Sequence, residues 1–361
     1  MVVIPFTKKV VTDAIGLDIG PSSIKVVQLK RERESIVLET YGEIALGPYA
    51  GLAIGQATQL GDEKLLEAIG DLFKEAKITS KNATLSIDSS AVFVSVVRVP
   101  KVGDEELKTM MPLEAKKFLP IPLSEVQVDW WHVPPGPAEL ATKDDVNTKT
   151  MDMVLAAVKN DVLEMYNRLT TKLGFQDTEF EIPGFSLIRS VVPRSEGLML
   201  SVDMGSNQTT ISLVRSNIVI DMHVLGKGSQ DTTIQVSQSL AIPIESAEEV
   251  KRTFGYNGDA ANPYLKEVVE LSSYPLFGEV ARLSLMFERK YNQTIEGVIL
   301  VGGGARVPGV MDMYAKVVHS PGRQGAPFDA VKIPEFLNDM MKHIGPSYAV
   351  AVGLALKKLL S

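Results

Sequence analysis

Two aspartates that each end an apolar run have the greatest potential for chemistry in this chain. Asp18 lies in "IGLDIGPSSIKVVQL" and Asp203 in "LSVDMGSNQTTISLV", and each precedes a turn of glycine and small polar residues and then a second apolar run. Successive backbone N–H groups in such a turn can form a nest for an anion. A neighbouring aspartate would repel phosphate unless a divalent cation lay between them. Two such stretches facing each other therefore predict a clamp for Mg²⁺ and the phosphates of a nucleotide.

A third glycine motif supports this interpretation. "VILVGGGARVPGV" runs from a predicted buried strand into Gly302, Gly303 and Gly304, where a bulky ligand group could lie directly on the backbone. The motif is neither the dinucleotide fingerprint nor a P-loop. A single Asp-x-Gly turn is typical of an ordinary hairpin, but its repetition together with the third motif favours a nucleotide site.

A charged pair lies between the second hairpin and the third motif. In "ESAEEVKRTFG", Glu248 and Lys251 are one helical turn apart on the same face of a predicted helix. The two side chains could reach the ribose or the base of a nucleotide. An exposed ion pair on the helix surface is equally compatible with this spacing.

The motifs belong to two α/β halves that the sequence predicts to be related. Between the halves, from about Phe93, the strand and helix patterns follow the order β-α-β-β-α-β, a split βαβ unit with "PPGPAELATKDDVNTKT" as its hairpin tip. We assign residues 1–91 and 176–195 to a first domain, 92–175 to the inserted subdomain and 196–361 to a second domain. Trp130 and Trp131 fall on opposite faces of one inserted strand, so one is expected in its core and the other outside it.

Composition excludes several classes of function. The 361 residues include no cysteine, which excludes disulfides, thiolate nucleophiles and cysteine-bound metals. A net charge of −7 argues against nucleic acid as the main partner. No apolar run reaches the length of a membrane span, and the amino terminus lacks the pattern of a signal peptide. A cytoplasmic protein is expected, with any membrane contact made through a partner.

Together the motifs resemble the actin/Hsp70/FtsA nucleotide-binding superfamily and, more narrowly, the PilM family of type IV pilus assembly proteins. "PLEAKKFLPIPLSEVQVDWWHV" and "MDMVLAAVKNDVLEMY" in the insertion are the most PilM-like stretches. The resemblance covers nearly the whole chain. It implies an actin-like ATPase fold, in which two related α/β domains surround a nucleotide cleft and the inserted subdomain is of the FtsA type. "EIPGFSLIRSV" and "GPSYAVAVGLAL" would be the two connecting helices that cross at the hinge.

The resemblance also implies roles for individual residues, with ATP and Mg²⁺ as cofactors. Asp18 and Asp203 would hold Mg²⁺, usually through water. Lys25 would contact phosphate, although a solvated strand lysine is equally compatible with its position. Backbone contacts with phosphate are implied for Gly20, Ser22, Ser23, Gly205, Ser206 and Asn207. Adenosine contacts are implied for Glu248, Lys251, Gly302, Gly303 and Gly304.

The sequence departs from the family pattern near the hydrolysis site. Pro21 replaces a small residue in the first turn and has no N–H to donate. No clear glutamine or general base opens the connecting helix, so Glu181 is the one nearby carboxylate that could position water. The resemblance to FtsA stops at the last predicted helix, so no counterpart of the membrane helix of FtsA is expected. Any ATPase activity is therefore expected to be slow, and membrane recruitment is expected to depend on another protein.

The function that the resemblance implies is a cytoplasmic ATP-binding scaffold of a type IV pilus or related type II secretion platform. The scaffold would lie at the inner membrane through its partners. A groove built by the insertion and the neighbouring domain would take the cytoplasmic tail of the inner-membrane protein PilN. A genuine ATPase or small-molecule kinase and an FtsA-like, filament-forming cell-division protein are the alternatives. Self-association is left open.

Overall fold

The computed structural model describes residues 11–119, 121–133, 149–193, 195 and 197–360. The amino-terminal residues 1–10, on which the signal-peptide argument depends, and most of the predicted hairpin tip, residues 134–148, lie outside this range. The strands are β1 Asp13–Ile19, β2 Ser23–Glu32, β3 Ser35–Ala45, β4 Asn82–Ser86, β5 Val92–Pro100, β6 Val126–His132, β7 Thr150–Lys159, β8 Asp177–Glu181, β9 Leu198–Met204, β10 Thr209–Arg215, β11 Ile218–Leu225, β12 Ile295–Val301 and β13 Gly322–Gln324.

Helices connect and cover the strands. They are α1 Asp62–Glu75, α2 Asp104–Ala115, α3 Asn160–Lys172, α4 Pro183–Val191, α5 Ser229–Leu240, α6 Ile244–Thr253, α7 Leu265–Tyr291, α8 Val310–Val317, α9 Asn338–Ile344 and α10 Ala349–Leu360. Their apolar residues recur at helical spacing, as in α1, where Leu65, Ile69 and Leu72 are buried and face the first sheet. Within the described residues, no helix combines the length and the apolar character needed to cross a membrane.

Two five-stranded sheets share one plan, as the repeated motifs predict. Their strand orders are β3-β2-β1-β4-β8 and β11-β10-β9-β12-β13. β1 and β2 form an antiparallel hairpin in which Asp18 pairs with Lys25, and β9 and β10 form one in which Asp203 pairs with Thr210. In each sheet the next central strand, β4 or β12, runs parallel to the first strand of the hairpin. Both aspartates therefore lie at the carboxyl ends of central strands.

The insertion forms a third sheet of three strands in the order β5-β7-β6. Side chains of β7 alternate between its faces. Leu155 packs with Met111 of α2 on one face, whereas Val154 and Ala156 join the core of the second sheet on the other. The inserted sheet is thus buried between α2 and the second half of the molecule.

The predicted order β-α-β-β-α-β is present, but its last strand belongs to another sheet. β8 pairs in parallel with β4, where Ser86 lies opposite Glu181, and makes no ladder with the inserted strands. α3 buries Tyr166 and Leu169 in the core of the first sheet and so carries the chain back to it. The order of elements suggested that β8 closes the inserted unit, because the periodicity of a strand does not reveal its pairing partner. The pairing agrees instead with the assignment of residues 176–195 to the first domain.

α4 and α10 cross in direct contact between the two large sheets. A methyl group added at Gly353 of α10 would overlap the carbonyl oxygen of Ser186 in α4. On its other side α10 lies against β1, where a methyl group at Gly16 would overlap the carbonyl oxygen of Ala351. These glycines permit backbone-to-backbone packing that no larger residue allows.

α10 also covers β8, the edge strand of the first sheet, through a ladder of ion pairs. The buried ammonium of Lys358 lies 2.7 Å from Asp177 Oδ2 and 2.8 Å from Glu179 Oε1. Lys357 lies 3.3 Å from Glu179 Oε2 and 3.4 Å from Glu181 Oε1. Alternate acidic residues of β8 are therefore paired with consecutive lysines of the last helix.

The helix crossing predicts opposite effects for the same substitution at two glycines. Gly353→Ala is expected to lower the free energy of unfolding by about 3 kcal/mol or to prevent folding, because α4 and α10 must move apart. Gly70→Ala, at an exposed α1 position with open space around the new methyl group, is expected to raise it by about 0.5–1 kcal/mol. Urea unfolding of both variants measures the difference. A Gly353→Ala protein as stable as the wild type would contradict the described packing.

Candidate functional site

Asp18 and Asp203 form a pair of deeply set carboxylates between the two halves. The pKa of Asp203 is raised to about 7, first by burial and then by the charge of Asp18, against the opposing charge of Lys25. Burial also raises the pKa of Asp18, although Lys25 and a 2.8 Å hydrogen bond donated by Ser86 Oγ oppose the shift. Each ionised carboxylate therefore carries an uncompensated cost that a bound cation would relieve.

The two carboxylates fit a Mg²⁺ ion whose remaining ligands would be water and phosphate oxygens, rather than an ion enclosed entirely by protein side chains. Among the described residues there is no group of three or more histidine, aspartate or glutamate side chains that could hold a metal. Mg²⁺ characteristically takes one or two carboxylates and completes its shell with water and substrate phosphates. Two carboxylates beside two anion-binding turns match that pattern.

The first turn directs its N–H groups away from its own domain. The carbonyl of Pro21 accepts a 2.8 Å hydrogen bond from the N–H of Thr58, and the carbonyl of Ser22 accepts a 2.9 Å bond from Leu46. In a trans peptide the N–H points opposite the preceding carbonyl, so Ser22 and Ser23 turn their N–H groups the other way. Gly20 instead donates its N–H to Ser23 O within the turn, at 3.1 Å.

The second turn has the same construction with a helix as its support. At the start of α5, Ser229 and Gln230 donate their N–H groups to the carbonyls of Gly205 and Ser206, at 2.9 and 2.8 Å. The N–H groups of Ser206 and Asn207 consequently point away from the helix. The hydroxyl of Ser206 is buried without a hydrogen-bond partner, an arrangement that a ligand atom would satisfy.

Lys25 lies at the base of the first turn, where its ammonium group already has two partners. Its ammonium donates to Ser23 Oγ at 2.7 Å and lies 3.1 Å from Glu43 Oε1. Its charge opposes the rise that burial causes in the pKa of both Asp18 and Asp203. A lysine beside the turn and the carboxylates is positioned for an anion rather than for bulk solvent alone.

The three glycines of the third motif differ in what they permit. Gly302 has a φ of +85°, and a methyl group there would lie 2.5 Å from Asp203 Oδ1. A methyl group at Gly304 would lie 2.8 Å from the Cβ of Met204. Gly302 and Gly304 are therefore needed for close packing against the end of β9. Gly303 faces open space, so its backbone is accessible to a ligand.

Glu248 and Lys251 are neither an exposed ion pair nor a pair of free side chains. Lys251 is 3% exposed and donates to Ser229 O at 3.0 Å and Thr233 Oγ1 at 2.7 Å, beside Glu248 Oε2 at 2.7 Å. Glu248 also accepts from Arg252 Nε at 2.6 Å. The pair joins α6 to the N-terminal part of α5, the helix that supports the second hairpin turn. Direct adenosine contact by these two residues stays a prediction.

Arg306 is a candidate that the sequence analysis missed. Its Nε is buried without a hydrogen-bond partner, within electrostatic reach of Glu43 and Arg252. The sequence feature that could have indicated Arg306 is its position in "GGGARVPG", directly after the glycines. A buried guanidinium nitrogen without a partner beside the glycine turn is a candidate hydrogen-bond donor to a ligand.

Glu181 is held in an ion pair. Its carboxylate accepts hydrogen bonds from both terminal nitrogens of Arg189, at 2.8 and 2.9 Å, and from the hydroxyl of Ser186. Burial alone would raise the pKa of Glu181, but Arg189, Lys357 and Ser186 lower it below its ordinary value. A water-positioning base works best with a pKa near the operating pH, so this geometry favours a structural role.

A groove of about 960 Å³ lies between the insertion and the helix α4. Trp131 lines it and contacts Phe185 edge to face, with ring centroids 4.7 Å apart. Trp130 packs against the cluster beneath α2 and Trp131 against the core shared with the second sheet, so the two lie on opposite faces of the strand as predicted. Both are half-buried, and the expectation that one of them would lie outside a core is wrong. The remaining lining residues include Val128, Phe180, Glu181, Ile188, Arg189, Asn217, Ile218, Lys357 and Leu360.

The paired hairpins, the glycine loop and the crossing helices define an actin-like ATPase fold, and solved structures of that fold match the chain. A PilM–PilN type IV pilus biogenesis complex matches with a TM-score of 0.80 at 22% identity, over 96% of this chain and 98% of the other. MreB5 of Spiroplasma citri bound to AMPPNP matches with a TM-score of 0.50 at 10% identity, over 95% and 94%.

The family follows from the sequence comparison. The family of the type IV pilus assembly protein PilM matches residues 16–359, and the chain belongs to it. The cell division protein FtsA of Borreliella burgdorferi is 23% identical over 386 residues, covering 95% of this chain and 90% of its own length. A role in type IV pilus assembly is therefore established at the level of the family.

The Glu181 ion pair predicts a pH-dependent contribution to stability. Glu181→Gln is expected to lower the free energy of unfolding by about 2 kcal/mol at pH 7, because Arg189 loses its partner. The folded-state pKa is lowered from 4.5, so the contribution is present above that value and is lost as pH falls through the folded pKa. Urea unfolding at pH 7 and pH 4 measures it, with exposed Glu105→Gln as the control. A deficit that does not change with pH would contradict the assignment.

Proposed function

We propose that this chain is an ATP-binding scaffold of the type IV pilus assembly platform. The cleft between the two halves would bind ATP with Mg²⁺, and the groove beside the insertion would bind the cytoplasmic tail of PilN. The protein would lie in the cytoplasm, at the inner membrane through that partner. A platform of the related type II secretion type would fit the same architecture.

The orientation of the two turns carries the nucleotide part of the proposal. Both turns have their carbonyls bonded to their own domain, which directs the N–H groups of Ser22, Ser23, Ser206 and Asn207 away from it. The carboxylate pair lies beside them. A relative of the same fold, MreB5, has been solved with AMPPNP bound, which supports a nucleotide as the ligand.

Each cleft residue has a part in holding the nucleotide. Asp18 and Asp203 would hold Mg²⁺, which neutralises phosphate charge when bound. The turn N–H groups and Lys25 would bind the phosphates. Gly303 and Arg306 would contact the adenosine, with Glu248 and Lys251 supporting α5 from behind.

Slow turnover follows from the state of the candidate base. The carboxylate of Glu181 is occupied by Arg189 and Ser186 and has a lowered pKa. ATP hydrolysis below about 1 s⁻¹, the low end for ordinary enzymes, is expected. Faster turnover would favour the alternative of a genuine ATPase. Nucleotide-dependent sedimentation of long polymers would favour an FtsA-like filament, which the FtsA relatives make the second candidate.

The groove fits an extended peptide with apolar side chains. Val128, Trp131, Phe185 and Ile188 supply apolar surface. Arg189 and Lys357, both paired with Glu181, add charged groups to the lining. β6 is the outer strand of the order β5-β7-β6, so a peptide could also add its backbone to that edge. The similar solved structure is a complex of PilM with PilN, which supports PilN as the occupant.

Groove and cleft would be coupled because the groove has walls on both halves. Asn217 and Ile218 come from the second half, whereas Phe180 and Ile182 come from the first. Closure of the cleft on a nucleotide would change the separation of these walls. If the nucleotide changes the affinity for the tail in this way, the tail must change the affinity for the nucleotide by the same factor.

Asp203 is expected to favour Mg·ATP binding and to destabilise the metal-free protein. Asp203→Asn is expected to weaken Mg·ATP binding at least about tenfold, because one metal ligand loses its charge. In metal-free buffer at pH 8 the same change is expected to stabilise the fold by about 1–3 kcal/mol, since the raised pKa reports an unfavourable buried charge. Calorimetry and urea unfolding measure the two effects, with exposed Asp312→Asn as control. Unchanged ATP affinity in Asp203→Asn would contradict the proposed site.

Trp131 predicts a central contact of the partner groove. Trp131→Ala is expected to weaken binding of a PilN tail peptide at least about tenfold, because a large aromatic anchor is lost. Leu113→Ala removes an exposed apolar side chain from α2, outside the groove, and is expected to leave binding unchanged. Fluorescence anisotropy with a labelled tail peptide measures both. Equal affinities of the two variants for the peptide would contradict binding in the groove and would indicate that the tail binds to another surface.

A further inference from the structure

We infer that residues 51–60, here called the strap, join the two phosphate turns and set how long a nucleotide stays in the cleft. The inference rests on the proposed nucleotide site. The strap follows β3 in the first half and has no regular secondary structure apart from turns. It crosses to the second half, where it meets α5 and α6.

One end of the connection is the first phosphate turn. The N–H of Thr58 donates to the carbonyl of Pro21 at 2.8 Å. This is one of the two bonds that orient the first turn, since it directs the N–H of Ser22 away from the domain. The strap therefore belongs to the support of the first turn.

The other end of the connection is the second phosphate turn, reached through a single side chain. The N–H of Ala57, next to Thr58, donates to Gln230 Oε1 at 2.8 Å. The backbone N–H of the same Gln230 donates to the carbonyl of Ser206 at 2.8 Å. Gln230 thus holds the strap with its amide and the second turn with its backbone.

Packing beside these bonds shows that the strap is closely seated. Gly55 has a φ of +91°, and a methyl group there would lie 3.1 Å from the side chain of Glu248. Glu248 is itself fixed by Lys251 and Arg252. Next to Gly55, Ile54 is 60% exposed above a cavity of about 430 Å³ that α6 lines with Glu245, Glu248 and Thr253.

Opening of the cleft must therefore break a defined set of contacts. Separation of the two halves at the strap removes the bond from Ala57 to Gln230 and lifts Gly55 from Glu248. A bound nucleotide that touches both phosphate turns cannot leave without that separation. Gln230 is accordingly a positioning residue whose side chain slows release.

The test compares two glutamines on the same helix. Gln230→Ala keeps the backbone bond to Ser206 and removes the bond to the strap, whereas Gln238→Ala makes the same chemical change at an exposed position of α5. Loss of one neutral hydrogen bond predicts about a fivefold faster release of a fluorescent N-methylanthraniloyl-ADP with Mg²⁺ for Gln230→Ala. Gln238→Ala is expected to match the wild type. Gly55→Ala is expected to act in the same direction as Gln230→Ala.

Amide hydrogen exchange supplies a readout that needs no nucleotide. The amide of Ala57 is expected to exchange faster in Gln230→Ala, whereas that of Thr58, bonded to Pro21, is expected to be unchanged. Faster release together with faster Ala57 exchange supports the strap. Nucleotide binding with release and exchange equal to those of the wild type overturns the strap and leaves the nucleotide site standing. A wild-type protein that binds no nucleotide overturns the proposed function and the strap with it.

Discussion

The contact on which the rest of this molecule depends is the crossing of α4 and α10 at Gly353. The two backbones meet there without intervening side chains, and on its opposite face α10 lies equally close to β1 at Gly16. One helix is therefore in backbone contact with the first sheet and with the segment that leads into the second. Because β1 and β9 each carry an aspartate just before their last residue, the relative position of the sheets decides how Asp18 and Asp203 face each other.

The same crossing also forms part of the groove beside the insertion. Arg189 of α4 donates to the carbonyl of Gly353 at 2.9 Å as well as to the carboxylate of Glu181. One guanidinium thus joins the crossing to the wall of the groove. Glu181, which the sequence suggested as a water-positioning base, lies in an ion pair that helps to hold these elements together. This explains why it combines burial with a lowered pKa.

Local features of the sequence predicted the two hairpins and the glycine turn that follows β12. The hairpins around Asp18 and Asp203 and the glycines from Gly302 depend on residues close together in the chain, so a short motif contains the information. Long-range features were less accessible. Spacing could not predict that Lys251 would be buried beneath α5, because its partners Ser229 and Thr233 come from another helix. Neither could the pattern of β8 predict its pairing with β4.

The ladder of charges between β8 and α10 bears on how this protein behaves at high concentration. A sheet edge with free backbone groups is a template for strands of other chains, and proteins protect such edges with charge. Here the edge strand carries Asp177, Glu179 and Glu181 paired with Lys357 and Lys358. A foreign strand docking on β8 would have to disturb these ion pairs. The β8 edge of the first sheet is thus guarded against edge-to-edge aggregation, whereas β6, which pairs with β7 alone among the described strands, forms an edge beside the groove.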